Sequence, residues 1–229
     1  MAYKRLISDK LALGYGSKYQ LLRMLGWHRN LFNQAVSESS GIASDIDWLD
    51  FNFNGPEDKE LLNFDFIAEI KDEWKTYWEC GRFGLNWDAV GISRDGTYVL
   101  VEAKAHVEEL NSSAGGSEKS RSKNNEVIGR VFHKYGIECG QDSWNSDVYQ
   151  LINRLVALDF LLERGYKAKL VYVLFVNGYE FNRPNDGSAT EEEWRSAMAA
   201  EFEKAGIANS PLEGLVNLVF IDCNPGKHR

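Results

Sequence analysis

Helical spacing of apolar residues marks several stretches of the chain. The first begins at a capping-box pattern, Ser17-Lys-Tyr-Gln20, and its apolar residues continue to Val36. A second helix is predicted over Asp65–Glu79, because its large apolar residues fall on one stripe. Three further helices are predicted over Asn125–Tyr135, over Ser146–Arg164, and from a second capping box, Thr190-Glu-Glu-Glu193, to near Gly206.

Shorter apolar runs between these helices predict four strands. Leu85–Ser93 and Thr97–His106 are joined by Arg94-Asp-Gly96, and Asp-Gly between two apolar runs favours a hairpin turn. Ala168–Asn177 is apolar on both faces, as is typical of a strand in a sheet that is covered on both sides. A last strand fits Leu215–Asp222. The order α-α-β-β-α-α-β-α-β predicts an α/β fold, and with no internal repeat or long linker we expect one domain over residues 1–229.

Two polar segments fall outside these elements. Asp45, Asp47 and Asp50 alternate with apolar residues and lack the glycine and closing glutamate of a calcium loop, so we interpret them as surface charges. The stretch from Asn111 to Ser122 is rich in Ser, Gly and Asn and is predicted to be a flexible loop. Whether its part from Ser112 to Arg121 orders on DNA and contacts phosphates is left open.

The charge of the chain disfavours broad, nonspecific wrapping of nucleic acid, because 229 residues carry a formal net charge of −8. The charge is unevenly distributed, however. Between Glu38 and Glu79 there are 12 acidic and 3 basic residues, whereas between Ser117 and Lys134 there are 5 basic and 2 acidic. The second stretch is either a local basic patch or simply a solvated helix face.

The chain shows no feature of membrane insertion or export. Its first residues lack the apolar core of a signal peptide, and the longest apolar run, Leu170–Val176, is too short to cross a bilayer. Three widely spaced cysteines, Cys80, Cys139 and Cys223, favour free thiols over a zinc site. We therefore expect a cytoplasmic protein with no membrane partner.

The predicted hairpin carries the residues of chemical interest. Side chains alternate along a strand, so Leu100, Glu102, Lys104 and His106 share one face of the second strand. The first strand places Asp88 beside them. Charged groups at the edge of a core are costly unless they are paired or bound to a metal ion.

Two carboxylates suit a hard divalent cation such as Mg²⁺ or Mn²⁺. Asp88 and Glu102 would be its ligands, with the backbone carbonyl of Ala103 as a third. The ion would help to form hydroxide and stabilise charge on a phosphate, while Lys104 would hold the attacking water. The alternative is that Glu102 and Lys104 form an exposed ion pair at the strand edge and Asp88 is incidental.

Asp88 followed by Glu102-Ala-Lys104 resembles the motif of the PD-(D/E)xK nuclease superfamily, which includes many restriction enzymes. Over about residues 65–177 the resemblance implies a restriction-endonuclease-like α-β-β-β-α-β core with further elements at both ends, a Mg²⁺-dependent site and nucleic-acid substrates. The chain also resembles a group of uncharacterised bacterial proteins with Trp-Asp-Ala-Val-Gly, Glu-Ala-Lys-Ala-His and a Tyr-Gln helix. Trp87 stands where the motif has proline.

The resemblance adds three residues to the candidate site. Many superfamily members carry a glutamine on the helix after the motif, and Gln150 looks like that residue. Arg154 lies one turn further along, and both are otherwise polar residues at a helix border. A glutamate on the helix before the first strand is also implied, and among Glu38, Glu69, Glu73 and Glu79 we select Glu73. His106 either contacts substrate or is structural.

The leading hypothesis is a metal-dependent nuclease that acts on DNA in preference to RNA. Asp88, Glu102, Lys104 and Gln150 would be its catalytic residues, with Glu73, His106 and Arg154 in support. The rival is a noncatalytic module that binds nucleic acid or protein on the same scaffold, which the sequence pI of about 5.1 favours. Hydrolysis of a small phosphoester is a third option, and a homodimer is left open.

Overall fold

Five strands form one mixed sheet in the computed structural model, which describes residues 16–53, 59–79, 84–113, 117–138, 147–178 and 189–223. The strands are β1 (Ile46–Trp48), β2 (Ala89–Ser93), β3 (Tyr98–Lys104), β4 (Ala168–Val176) and β5 (Val216–Asp222), and they lie side by side in that order. The first three strands form an antiparallel meander, whereas β3, β4 and β5 run parallel.

Helices cover both faces of this sheet. They are α1 (Gly16–Trp27), α2 (Arg29–Ser40), α3 (Lys71–Tyr77), α4 (Glu118–Lys134), α5 (Tyr149–Glu163) and α6 (Glu191–Lys204), and 3₁₀ turns occur at Val107–Leu110 and Glu213–Leu215. Within the described ranges, no helix combines the length and the hydropathy needed to cross a bilayer. The predicted α/β class is therefore confirmed as a mixed sheet between helices.

The alternation of side chains in β3 and β4 divides the core into two. Val99, Val101 and their counterparts in β4 pack against α1 and α2. Leu100 and Tyr172 point the other way, into a core with α3, α4, α5 and α6. This alternation explains why β4 is apolar on both faces, as its sequence predicted. Glu102 and Lys104 lie on the face covered by α5.

The hairpin between β2 and β3 is confirmed. The Ser93 N–H donates to the Thr97 carbonyl at 2.9 Å, and Gly96 adopts a φ of +80° that favours glycine at this turn. A second glycine, Gly91, is required by packing rather than by its backbone angle. A Cβ atom at Gly91 would lie 2.6 Å from the side chain of Ile46, so β1 can approach β2 closely only at a glycine.

Several predicted boundaries were wrong. The first helix is interrupted at His28, whose φ of −128° is not helical, two residues after the weak helix former Gly26. The aspartate-rich stretch contains β1. This strand has only three residues, which are too few for a periodic pattern to reveal it. Only Lys71–Tyr77 of the second predicted helix is helical, and α4 begins at Glu118, inside the predicted loop.

Buried Asp50 contradicts the interpretation of the three aspartates as surface charges. Asp45 and Asp47 are exposed, but Asp50 is only 5% exposed and its carboxyl group accepts the Val90 N–H at 3.2 Å. Among the cysteines, Cys223 is a buried free thiol, whereas Cys80 and Cys139 lie outside the described residues.

Candidate active site

The end of the β2–β3 hairpin brings Asp88 beside the Glu-Ala-Lys segment. Asp88 directly precedes β2, and its N–H donates to the Val101 carbonyl at 3.1 Å. One oxygen of its carboxylate, Oδ2, accepts the Ala103 N–H at 2.8 Å. Because Ala103 lies between Glu102 and Lys104, this bond places the Asp88 carboxylate at the centre of the predicted motif.

Glu102 is a buried carboxylate with two cationic partners. Its Oε1 lies 2.8 Å from the Lys104 ammonium, and its Oε2 accepts a bond from Arg154 Nε at 2.9 Å and lies 2.8 Å from Arg154 Nη2. Glu102 and Lys104 are 2% and 6% exposed. The sequence left open an exposed ion pair at the strand edge; the pair exists, but it is buried and extended by Arg154.

Gln150, at the start of α5, holds the other side of the lysine. The Lys104 ammonium donates to Gln150 Oε1 at 2.7 Å. The Gln150 N–H in turn donates to the hydroxyl of Ser112 at 2.8 Å, and the Ser112 N–H donates to the Asp147 carbonyl at 2.7 Å. Ser112 therefore satisfies one of the free N–H groups in the first turn of α5.

Arg154 supports the site through contacts with several neighbouring residues. Besides Glu102, its guanidinium donates to the Asn86 carbonyl at 2.6 Å and to Asn153 Oδ1 at 3.1 Å. It also lies over the indole of Trp87, 4.7 Å from the ring centroid. Each of its three nitrogens thus has an acceptor within the protein, so Arg154 supports Glu102 rather than presenting a free cation.

A cleft of about 370 Å³ opens above these groups. Asp88, Glu102, Gln150 and Arg154 line it, together with Gly84, Leu85, Asn86, Ser112, Tyr149 and Asn153. Polar groups from two strands and one helix therefore converge on one cavity, which is the usual form of a ligand or substrate site.

Lys18 and Glu60 also belong to this region, and the sequence analysis missed both. The Lys18 ammonium lies 2.7 Å from Glu60 Oε1 and donates to the Asp88 carbonyl at 2.8 Å. Glu60 also accepts a bond from the side chain of Asn86. The sequence offered no motif for either residue, since Lys18 lies 70 residues before Asp88 and its capping-box context suggested only a helix start.

Burial perturbs carboxyl groups around the site. Desolvation raises the pKa of Asp50 to about 8, although the Val90 N–H and the charge of Lys18 oppose the shift. Desolvation likewise raises the pKa of Glu201 on α6 to about 7, against the opposing charges of Lys204 and Lys104. Both carboxyl groups can therefore hold protons near neutral pH, which limits the negative charge near Lys18 for Asp50 and near Lys104 for Glu201.

Two predicted supporting residues do not line the cleft. Glu73 is exposed on α3 and pairs with Arg164, which follows α5 at the end opposite Gln150. Ten residues of helix separate Arg154 from Arg164, about 15 Å, so the structure does not bring Glu73 to the site. Glu38, Glu69 and Glu79 do not line the cleft either. His106 is buried at the end of β3, where its carbonyl accepts the Glu109 N–H.

The donor set fits a divalent ion held by two carboxylates. A carboxylate has about four acceptor positions. Glu102 uses three of them for Lys104 and Arg154, which leaves one on Oε1. Asp88 uses one for Ala103. Mg²⁺ typically takes one or two carboxylates and fills its remaining positions with water and phosphate oxygens. Nowhere in the described residues do three or more His, Cys, Asp or Glu side chains form a metal-binding group.

Comparison with known proteins gives no relative from which to assign a function. No protein-family model, no curated protein and no solved structure matches the chain.

Proposed function

We propose that the chain is a divalent-metal-dependent phosphodiesterase that cleaves nucleic acid, DNA in preference to RNA. The observation that carries the proposal is the convergence of Asp88 and Glu102 on one cleft, with Lys104 paired to Glu102 and bonded to Gln150, which also lines the cleft. The antiparallel β1–β3 meander, followed by α5 and the parallel strand β4, is also compatible with the restriction-endonuclease-like core that the motif suggests.

Lys104 is arranged to act on a water molecule or a phosphate oxygen. An ammonium has three N–H donors, and those of Lys104 are directed to Glu102 and Gln150 among the described residues. No acceptor for the remaining donor lies in the part of the chain that the structure describes, so this donor would be available to a nucleophilic water or to the negative charge that develops on phosphate. The two bonds fix the position of the amine, which is what transition-state stabilisation requires.

Asp88 and Glu102 would hold the ion, Mg²⁺ or Mn²⁺. When bound, such an ion lowers the pKa of a coordinated water and offsets charge on the scissile phosphate. Arg154 keeps the Glu102 carboxylate in place from the side of the core. Ala103 contributes its N–H to Asp88, so the two ligand residues are tied to the same strand segment.

The nucleic-acid part of the proposal is supported by cations that follow a cleft residue in the chain. Helix α4 begins six residues after Ser112, which lines the cleft, and its first turns carry Lys119, Arg121 and Lys123. Lys119 is exposed and Arg121 is partly exposed. Cations in this position are suited to contact phosphates that flank the scissile bond.

Incubation with supercoiled plasmid, linear and branched DNA, and RNA, in Mg²⁺, Mn²⁺ or EDTA, tests the proposal. We expect wild-type protein to cut DNA only with a divalent ion, and Asp88→Asn to lower the rate by about 10²-fold or more. Asp47→Asn, which changes an exposed aspartate of β1, is the matched control. Equal cutting by wild type and Asp88→Asn would refute the assignment of the site.

A noncatalytic binding module is the second candidate, and one observation favours it. The charge of Glu102 is already balanced by Lys104 and Arg154, so the site does not require an ion for electrostatic reasons. Calorimetric titration with Mn²⁺ separates the two functions. Saturable binding that Asp88→Asn abolishes supports the phosphodiesterase, whereas DNA binding without either Mn²⁺ binding or cleavage supports the module.

A further inference from the structure

Lys18 is a buried cation that reaches the site from α1, on the face of the sheet opposite α5. It lies in the first turn of α1, and its side chain is 11% exposed. Its ammonium contacts Glu60 Oε1 at 2.7 Å, the Asp88 carbonyl at 2.8 Å and Asp88 Oδ1 at 3.5 Å. The ammonium also lies over the ring of Phe51, 5.1 Å from the ring centroid.

These contacts keep Lys18 charged. Burial alone lowers the pKa of an amine, but the charges of Asp88 and Glu60 outweigh that effect and raise the pKa of Lys18 above its ordinary value. The carboxylates in turn depend on Lys18, because partly buried negative charges at close range repel one another. Asp50 is a third carboxyl group near Lys18. Because its pKa is raised to about 8, it keeps its proton at neutral pH and does not add to the repulsion between carboxylates.

Lys18 also fixes the orientation of Asp88. The Ala103 N–H holds Oδ2, while Lys18 holds the backbone carbonyl and lies beside Oδ1. The carboxylate therefore has one oxygen tied to β3 and the other facing the ammonium. Rotation of this side chain would break a hydrogen bond on the one side and separate an ion pair on the other.

The position of the ammonium excludes another cation. An ion that bridged Glu60 and Asp88 would need to lie about 2.0–2.6 Å from an oxygen of each. The Lys18 nitrogen lies between the same two carboxylates. Two cations cannot share this volume, so a divalent ion could bridge Glu60 and Asp88 only if Lys18 withdrew and α1 lost its buried charge contact.

We infer that Lys18 is a positioning residue, a built-in cation on the Glu60 side of Asp88 that restricts the site to a single divalent ion. The inference rests on the proposed function, since it concerns how that site binds its metal. On this basis a single ion, held by Asp88 and Glu102, would supply the charge that activates water together with Lys104, and a second ion would not be needed. Helix α1 is then part of the catalytic machinery, although it lies outside the motif-bearing segment.

Counting bound Mn²⁺ ions by titration calorimetry and electron paramagnetic resonance, without DNA, tests this inference. We expect one Mn²⁺ per chain for wild type and two for Lys18→Met, because the position of the ammonium is then bordered by two carboxylates that have lost their shared cation. Lys18→Met/Glu60→Gln should return the count to one. Lys75→Met, which removes an exposed lysine paired with Asp72 on α3, should leave the count at one.

A second variant keeps the test decisive if Lys18→Met does not fold. Glu60→Gln retains Lys18, and we expect it to bind the same single Mn²⁺ as wild type. Two ions in wild type with one in Glu60→Gln would overturn the inference, and so would an unchanged count in a folded Lys18→Met. Absence of both Mn²⁺ binding and cleavage in wild type would instead refute the proposed function, while an ion gained by Lys18→Met would still support exclusion by Lys18.

Discussion

Helix α5 has a buried carboxylate cluster at each end, and the two clusters differ in what surrounds them. At its first turns Gln150 and Arg154 contact Lys104 and Glu102, which is 2% exposed. Near its last turn Asp159, 1% exposed, accepts bonds from Lys134 at 2.6 Å and from the Tyr135 hydroxyl at 2.8 Å. Each cluster therefore pairs a buried acid with a lysine.

The difference lies in the lysines. The side chain of Lys134 is 42% exposed and is shared with Glu163 on the surface, whereas Lys104 is enclosed and its partners Glu102 and Gln150 line a cleft. At the Asp159 end, desolvation and the bond to Asp159 raise the pKa of Tyr135 to about 12, so the hydroxyl remains a donor. A buried ion pair is thus no indication of function by itself; an enclosed amine held by residues that line a cleft is.

Removal of the buried acid at each end of α5 should give the largest difference in stability between the two clusters. Glu102→Ala leaves Lys104 and Arg154 buried without their counter-charge, and we expect it to lower the free energy of unfolding by about 3–5 kcal/mol. Asp159→Ala should cost about 1–3 kcal/mol, because Lys134 can turn to water. Urea unfolding at pH 7 measures both. Equal losses, or a larger loss for Asp159→Ala, would contradict the distinction drawn between the two lysines.

Removal of each lysine compares the two ends in catalysis. We expect Lys104→Met to slow Mn²⁺-dependent DNA cleavage by about 10²–10³-fold, since it removes the positioned amine. Lys134→Met, which loses an equivalent pair at Asp159, about 14 Å along α5 from Gln150, should cut at the wild-type rate. Rates are measured at a temperature where both variants are folded, as checked by circular dichroism. Similar slowing of both would indicate that lysine loss acts through stability.

The sequence was sufficient to predict the motif end of α5 because local patterns specify it. The Asp-Gly turn determines the register of β2 and β3, and strand alternation then places Glu102 and Lys104 on one face. Gln150 was found by its place in the motif and does contact Lys104. The capping box at Thr190 is formed as predicted, because it too is a local pattern.

Residues that reach the site across the fold could not be predicted in this way. Lys18 and Glu60 meet Asp88 only because α1 packs on the opposite face of the sheet and residue 60 returns beside Asn86. Asp50 looked like a surface charge because its alternation with apolar residues is indistinguishable from that of exposed Asp45 and Asp47. Glu73 was selected from its helix position, but pairing with Arg164 depends on how α3 docks on α5.

The pH dependence of stability should also reveal the buried carboxyl group of Asp50, which lies near Lys18. Burial raises the pKa of Asp50 from 3.8 to about 8, so between these values the folded chain keeps a proton that the unfolded chain has released. Stability from this group is therefore present below pH 4 and is lost as the pH rises through 8, by at most about 1.4 kcal/mol per pH unit.

Comparison of wild type with Asp50→Asn isolates this contribution from that of Glu201. Urea unfolding from pH 4 to pH 9 should show Asp50→Asn gaining stability relative to wild type as the pH rises. Asp47→Asn, an exposed change three residues earlier in the chain, should track wild type throughout. A constant difference between wild type and Asp50→Asn would show that the Asp50 carboxyl is ionised across the whole range.

The smallest effect is expected from Ser112, whose hydroxyl accepts a hydrogen bond from the first turn of α5. Ser112→Ala leaves the Gln150 N–H without its 2.8 Å acceptor and should cost about 0.5–1.5 kcal/mol in urea unfolding. Because Gln150 holds Lys104, cleavage should also slow by a few-fold, whereas Ser122→Ala on the exposed side of α4 should change neither quantity. Loss of stability without slower cleavage would mean that Gln150 keeps its place without Ser112, and that β3 alone positions Lys104.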